Sequence, residues 1–344
     1  MKFTKPPTTI NEQVELLIKR GMEGDPVLMA ERLRCTSYYR LSAYWFTFRK
    51  EDRTRQIRYD DFVPGTKFDV VWERYCFDRE LRLLVMDAIE RIEITVRTQL
   101  SHHHSHKHGP FAYAEDPLSL PKLCTAPGLP PDKNKDRLRC EFIERVQEET
   151  KRSQDEFKNH FFKKHSDHHS YLPIWMATEV MTFRTVLTML ENCSVKVKDA
   201  VADVFDIPNS IFMSWMLTIN TVRNIVAHHS RLWNRQIGSN PTIPTGTRYR
   251  QWNTPVLIKH DRMFAAFSVI NYCVHRVTGN CHWAQRFAEL LQKYPNIPVK
   301  YMGFSDKWTE SPIWEGALLP SPVVGVAGTS LPSVAVPIPF PPEL

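Results

Sequence analysis

Residues 78–100 read DRELRLLVMDAIERIEITVRTQL, and this stretch constrains the fold more than any other part of the chain. Leu81, Leu84, Val85, Ala88, Ile89, Ile92 and Val96 recur in steps of three and four, which places them on one apolar stripe of a long amphipathic helix. Arg82, Glu90, Arg91, Glu93 and Arg97 fall on the other face. The same period predicts further helices over 10–21, 26–34, 137–163, 174–191, 209–229, 261–277 and 282–293. The first opens with a capping-box pattern, Thr9-Ile-Asn-Glu12, behind Pro6-Pro7. Only 12 glycines occur, and alternating strand patterns are confined to a weak two-strand element around 44–63. The chain therefore reads as mostly α.

At 344 residues it has room for one large domain or two smaller ones, with a sizeable core. Proline and turn formers mark loops near 109–133 and 238–256, and there is no internal repeat. The expected organisation is an N-terminal helical extension over 1–64 interleaved with a helical bundle over 65–317. Residues 318–344, LLPSPVVGVAGTSLPSVAVPIPFPPEL, carry one charge and a proline every few positions, so a disordered tail is expected. A composition of 42% hydrophobic and 24% charged residues is that of a globular protein. The net charge of +7 favours anionic partners such as nucleic acid without demanding them. Seven scattered cysteines without a CxxC pair, and a start lacking an apolar signal segment, predict reduced thiols in a cytoplasmic setting. No membrane span is expected.

The run SHHHSHKHG (101–109) holds five histidines with no interleaved cysteine or carboxylate. It falls where the long helix should end, and histidines there interact favourably with the helix dipole, so a surface helix end is favoured over a metal site. His160, His165, His168 and His169 match no metal spacing, and HEXXH, P-loop, GxGxxG and GxSxG patterns are absent. Neither a metal nor a cofactor is expected.

Residues 221–235, TVRNIVAHHSRLWNR, combine three arginines, two adjacent histidines and two asparagines with apolar Ile225, Val226, Leu232 and Trp233. Phe212, Trp215, Met216 and Ile219 anchor the helix that leads into them. Asn224 and His228 stand four apart and share a helix face. Arg223 lies about 140° around from His228, so only a long side chain or a distorted last turn brings both to one phosphate. The set suits RNA cleavage without a metal. A histidine with pKa of about 6.5 can take the proton of a ribose 2′-hydroxyl, and arginine's planar fork can hold the phosphate oxygens as charge builds. The competing reading is a helix C-terminus whose Arg and His residues cap carbonyls and pair with Glu90 or Glu93.

Arg223-Asn224-(x)3-His228 resembles the R-polar-x3-to-5-H pattern of the HEPN superfamily, and RNIVAHHSRLWNR is similar to the Abi-like branch of abortive-infection bacteriophage-resistance proteins. The similarity spans about residues 3–317 in ordered blocks. KPPTTINEQVELLIKRGM resembles the opening helix, and YYRLSAYWFTFR the next block. FDRELRLLVMDAIERIEITVRTQL resembles the long helix with its D-x-x-L-R and I-E elements. LPIWMATEVMTF, the RNIVAHHSRLWNR string and YMGFSDKWTESPIW complete the order. Each block alone is weak, and six in order are strong. Phe183-Arg184 departs from an expected Phe-Gly, and the tail past 317 has no counterpart.

The resemblance implies an all-α HEPN-type bundle, commonly a homodimer in which Arg and His of two protomers meet. It implies a metal-independent endoribonuclease of phage defence, or the toxin of a toxin–antitoxin pair, that leaves 2′,3′-cyclic phosphate ends. RNA is then the substrate and an antitoxin or regulatory RNA a possible partner. Carried over, Arg223 stabilises phosphate charge, His228 is general base or acid, and Asn224 orients its neighbours. His229 is the alternative catalyst under the longer spacing, and with Arg231 and Arg235 it is a candidate RNA contact. Two other readings are a non-catalytic RNA-binding or regulatory module and a transferase partner using the basic pocket for a nucleotide.

Overall fold

The computed structural model describes residues 6–318 except 53, 126, 127 and 280. The expected disordered tail lies outside the described residues beyond Leu318. These residues form thirteen α-helices and one two-stranded antiparallel sheet, as the mostly-α reading expects. In chain order they are α1 (Ile10–Lys19), α2 (Pro26–Thr36), α3 (Tyr38–Trp45), β1 (Arg49–Asp52), β2 (Ile57–Phe62), α4 (Phe68–His108) and α5 (Ala112–Glu115). Then follow α6 (Lys133–Arg152), α7 (Glu156–His165), α8 (Ile174–Val180), α9 (Phe183–Asn192), α10 (Val195–Asp203), α11 (Asn209–Ala227), α12 (Met263–Thr278) and α13 (Trp283–Lys293).

Local chemistry sets several boundaries. Thr9 Oγ1 accepts from the Glu12 N–H and the Glu12 carboxylate accepts from the Thr9 N–H, which completes the capping box at α1. Asp25 caps α2 with Pro26 at its first position. The sheet pairs Glu51 with Arg58 and Asp52 with Ile57, with an irregularity between Arg49 and Glu51.

The helix read over 78–100 is longer than its clearest stripe. α4 has 41 residues, about 60 Å of rise, and stops at Gly109, whose φ of 93° suits glycine. It is the axis of the molecule: α3, α8, α10, α11, α12 and α13 all pack on it. The whole apolar stripe is buried. Two residues assigned to its outward face are buried as well, because Arg82 pairs with Asp78 and Arg97 with Glu93. Intrahelical i,i+4 partners let these charges enter the core.

Two helices expected as continuous are broken. Residues 137–163 divide at Ser153, where the backbone turns extended and α6 ends. Residues 174–191 divide at Met181, and the cause is a tertiary contact. Glu149 of α6 accepts from the Thr182 N–H (3.0 Å), the Thr182 hydroxyl (2.9 Å) and the Thr185 hydroxyl (2.9 Å), so it holds the α9 N-terminus open from the side. The short helices α3 and α10 carry too few turns to show a clear period and were not expected. One buried apolar cluster runs from Val14 to Trp314 and takes in both the N-terminal helices and the bundle. No helix among the described residues is long and apolar enough to cross a membrane.

The histidine run does close α4 as a helix end with His102, His106 and Lys107 exposed, as expected, but one of its rings turns into the core. His104 is fully buried, and burial lowers its pKa to about 4; His103 and His108 are lowered by burial too. A neutral imidazole gives the dipole nothing to pair with. Among the described residues no three His, Cys, Asp or Glu side chains converge as metal ligands.

Candidate functional site: the turn that ends α11

α11 is held by an apolar face of Phe212, Trp215, Met216, Ile219 and Val222, all buried, and it stays helical to Ala227. It ends in a Schellman turn. The Ser230 N–H donates to Ile225 O and the His229 N–H to Val226 O, both at 2.9 Å, with His229 left-handed at φ 53°. His228 is the cap residue, with φ −86° and ψ 12°, and its N–H still donates to Asn224 O at 3.1 Å. His228 therefore stays on the helix screw above Asn224, whereas the left-handed step takes His229 off it. Both histidines and Asn224 are exposed, and among the described residues their side chains make no hydrogen bond.

The chain after the turn is fastened by side chains from far away in sequence. Asp78 of α4 is wholly buried, and its carboxylate accepts from the Leu232 N–H (3.1 Å), the Trp233 N–H (2.6 Å), the Tyr44 hydroxyl (2.6 Å) and Arg82 Nη1. Burial pushes the Asp78 carboxyl up, and Arg82, Tyr44 and the two peptide N–H groups oppose the rise. Four donors and no acceptor around one carboxyl suit the ionised form. Arg40 donates to His229 O, and Arg231 donates to Ala43 O at 2.6 Å, so α3 grips both sides of the turn. Leu232 and Trp233 are fully buried, and the Arg74 guanidinium lies 4.9 Å over the Trp233 ring.

The three arginines of the stretch thus have different surroundings. The Arg231 side chain is half-buried on the Ala43 carbonyl, and burial lowers its pKa. Arg235 reaches back to Arg231 O at 3.4 Å. Arg223 faces Glu93 of α4 across a loose ion pair, Nε to carboxylate 3.5 Å, and makes no hydrogen bond among the described residues. Glu93 also holds Arg97, whose Nη1 donates to Met181 O at 2.8 Å and to Thr178 O. One carboxylate is therefore shared by two guanidinium groups, which leaves the trio with a net positive charge, and Arg223, with its side chain 35% exposed, is the one nearer solvent.

The pairing of Arg223 with Glu93 is one that the sequence offers, whereas nothing in local spacing marks Asp78, Tyr44 or Arg40 as partners of the turn. The blocks that hold them were visible: Asp78 and Arg82 are the ends of D-x-x-L-R, Glu93 belongs to I-E, and Arg40, Ala43 and Tyr44 lie in YYRLSAYWFTFR. What spacing did not reveal is that these blocks meet at one turn.

Fold and site together define a helical-bundle protein that displays an arginine and a histidine at a helix end pinned to a buried carboxylate. The family model described as Abi-like protein matches residues 31–234, more than half of the chain, and the chain belongs to that family. The match takes in α3, α4 and all of α11, and closes one residue after the Asp78-bound Trp233. Membership points to a function of the abortive-infection type. No curated protein and no solved structure matches the chain.

Proposed function

We propose that the protein is an endoribonuclease of the HEPN type that acts in abortive infection, or as a toxin, and cuts RNA through Arg223 and His228. One observation carries the reading. Of the three arginines in 221–235, only Arg223 presents a guanidinium without a hydrogen bond among the described residues, on a rigid helix beside the exposed side chains of Asn224 and His228.

His228 takes the proton from a ribose 2′-hydroxyl. The alkoxide oxygen bonds to the adjacent phosphorus, the bond to the 5′-oxygen breaks, and that oxygen leaves with a proton as a 5′-hydroxyl. The other product is a 2′,3′-cyclic phosphate. Arg223 holds the non-bridging oxygens as they gain charge. Asn224, one turn below His228, orients the ring or the ribose. A helix that turns about 100° per residue separates Arg223 from His228 on one chain, and the leaving oxygen needs its own acid. Both points favour a homodimer, in which each copy completes the other's site. Ile94, exposed on α4 next to Glu93 in sequence, and Leu83, exposed three turns earlier, offer apolar surface for it. Cytoplasmic action and silencing by an antitoxin or regulatory RNA belong to the same reading.

The test is cleavage of RNA by the purified protein in EDTA, with end analysis. Cyclic phosphate ends that disappear in both His228→Ala and Arg223→Ala are expected. Cleavage or growth arrest that persists in both variants would sink the assignment. The Glu93 carboxylate beside Arg223 favours the second reading, a non-catalytic RNA-binding module, which predicts wild-type binding without cleavage.

A further inference from the structure

The break that divides α6 from α7 opens a cleft between them. Ser153 ends α6 in extended backbone, and its hydroxyl donates to the Asp155 carboxylate and accepts from the Asp155 N–H at 3.1 Å. On one straight helix Gln147 and Phe162 would stand about 22 Å apart along the axis. The break instead lets residues 146, 147, 150 and 151 of α6 line one cleft with residues 158, 159 and 162 of α7. Its volume of about 430 Å³ falls within the range of about 300–1,000 Å³ usual for small-molecule sites. The floor is apolar and aromatic, with Val146, Leu172 and Tyr113 buried and Phe162 half-buried.

The wall opposite the two helices is fixed by contacts of its own. Tyr113 donates to Leu172 O at 2.9 Å, Phe111 stacks on His169 at 4.0 Å, and the Ile174 N–H donates to Pro110 O at 2.9 Å. A wall held this way spares a ligand the entropy of ordering it. The polar lining is of one electrical sense, since Lys151 and Lys158 face the cleft and, among the described residues, no Asp or Glu does. Lys158 donates to Ser153 O, which sets its ammonium at the α6 end of the cleft. Glu144 and Glu148 lie on the other side of Gln147 and Lys151, in a separate depression, and Glu148 faces Arg152. The exposed amides of Gln147 and Asn159 also line the cleft, and neither has a hydrogen-bond partner among the described residues.

We propose that this cleft binds a nucleoside monophosphate, supplied either as a free mononucleotide or as an unpaired nucleotide of RNA. Phe162 and Tyr171, both half-buried, offer ring surface on which a base can stack. Gln147 and Asn159 each present a donor and an acceptor, the combination that reads a base edge. Lys151 and Lys158 supply the charge for one phosphate. A purely apolar ligand would leave the amides and ammonium groups unused, and a small aliphatic acid would leave the aromatic floor bare. None of these residues belongs to the turn at 221–235, so the site stands whether or not the protein cleaves RNA.

The test is thermal unfolding of the full chain with AMP, GMP, CMP and UMP, with the matching nucleosides, and with sodium phosphate, all at equal ionic strength. For 344 residues, wild type should gain about 2 °C from at least one monophosphate at ten times its dissociation constant. The nucleoside or phosphate alone at the same concentration should give less. Lys151→Met should weaken the monophosphate about tenfold and leave the nucleoside unchanged, because the ammonium reads only the phosphate. Asn159→Ala should weaken both. Arg223→Ala should keep the whole gain, which separates this cleft from the cleavage centre. Binding of a 2′-O-methyl RNA, which is not cleaved through its ribose oxygen, distinguishes the two sources. If RNA supplies the nucleotide, the monophosphate competes with RNA and Asn159→Ala weakens RNA binding. If a free mononucleotide is the ligand, wild type and Asn159→Ala bind RNA equally. Unfolding temperatures unmoved by all four monophosphates, or a gain that Lys151→Met and Asn159→Ala both keep in full, would overturn the proposal.

Discussion

Asp78→Ala is the most informative single change in the molecule. It deletes the one acceptor shared by the Leu232 N–H, the Trp233 N–H, the Tyr44 hydroxyl and Arg82. The Arg82 side chain is 7% exposed, so its charge would stay in the core without a partner. Breaking a buried pair from one side costs about 3–5 kcal/mol, and each orphaned buried donor about 1–3 kcal/mol where water does not reach it. A loss of about 5 kcal/mol is a large part of an ordinary domain's stability, and for a chain of 344 residues it corresponds to a fall of about 7 °C in Tm. Asp78→Asn keeps an oxygen for the two peptide groups but not the charge opposite Arg82, and should lose about half as much. Asp78→Ala combined with Arg82→Met removes the stranded charge and should recover part of the loss. Denaturant unfolding measures the global effect, and hydrogen exchange at the Leu232 and Trp233 amides measures the local one. If Asp78→Ala unfolds within about 1 kcal/mol of wild type and both amides remain protected, Asp78 does not hold the turn and the account of the site is wrong.

The arginines of the same stretch should separate scaffold from site. Arg223→Ala leaves Glu93 with Arg97, so denaturant unfolding should shift by less than about 1 kcal/mol while RNA cleavage is lost. Arg231→Met strands the Ala43 carbonyl and should cost about 1–3 kcal/mol in the same unfolding measurement. His229→Gly relieves a left-handed backbone at φ 53° and should raise stability by up to about 1 kcal/mol with cleavage retained; loss of cleavage would move the catalytic role from His228 to His229. His104 titrates at about 4 when folded against about 6.5 when unfolded, so between those values the unfolded chain binds the extra proton. Its contribution is whole above pH 6.5 and is lost as pH falls to about 4, by about 3 kcal/mol in full. Unfolding measured across that window should show a shallower slope in His104→Leu, with a remainder from His103 and His108, which burial also lowers.

Local pattern reached some of this protein directly. The α4 stripe, the Thr9–Glu12 capping box, the hairpin near 44–63 and the four-residue step from Asn224 to His228 all depend on neighbours within a turn or two, and such relations are written in spacing. The ordered blocks around them also identified the family that residues 31–234 match.

Only the tertiary structure decided what each charged residue of the site does. The sequence reading gives Arg223, Arg231 and Arg235 all to RNA, but Arg231 meets a carbonyl of α3 and Arg223 meets a carboxylate that Arg97 already holds. Asp78 looks like one acid of an amphipathic helix until the chain returns at Leu232 and Trp233 and leaves two peptide N–H groups to be satisfied in the core. His104 sits in a run that reads as surface, and the packing around the end of α4 makes it a neutral, buried ring. In each case the deciding partner is brought in by chain folding, because a buried polar group takes whatever donor or acceptor the packed elements place beside it.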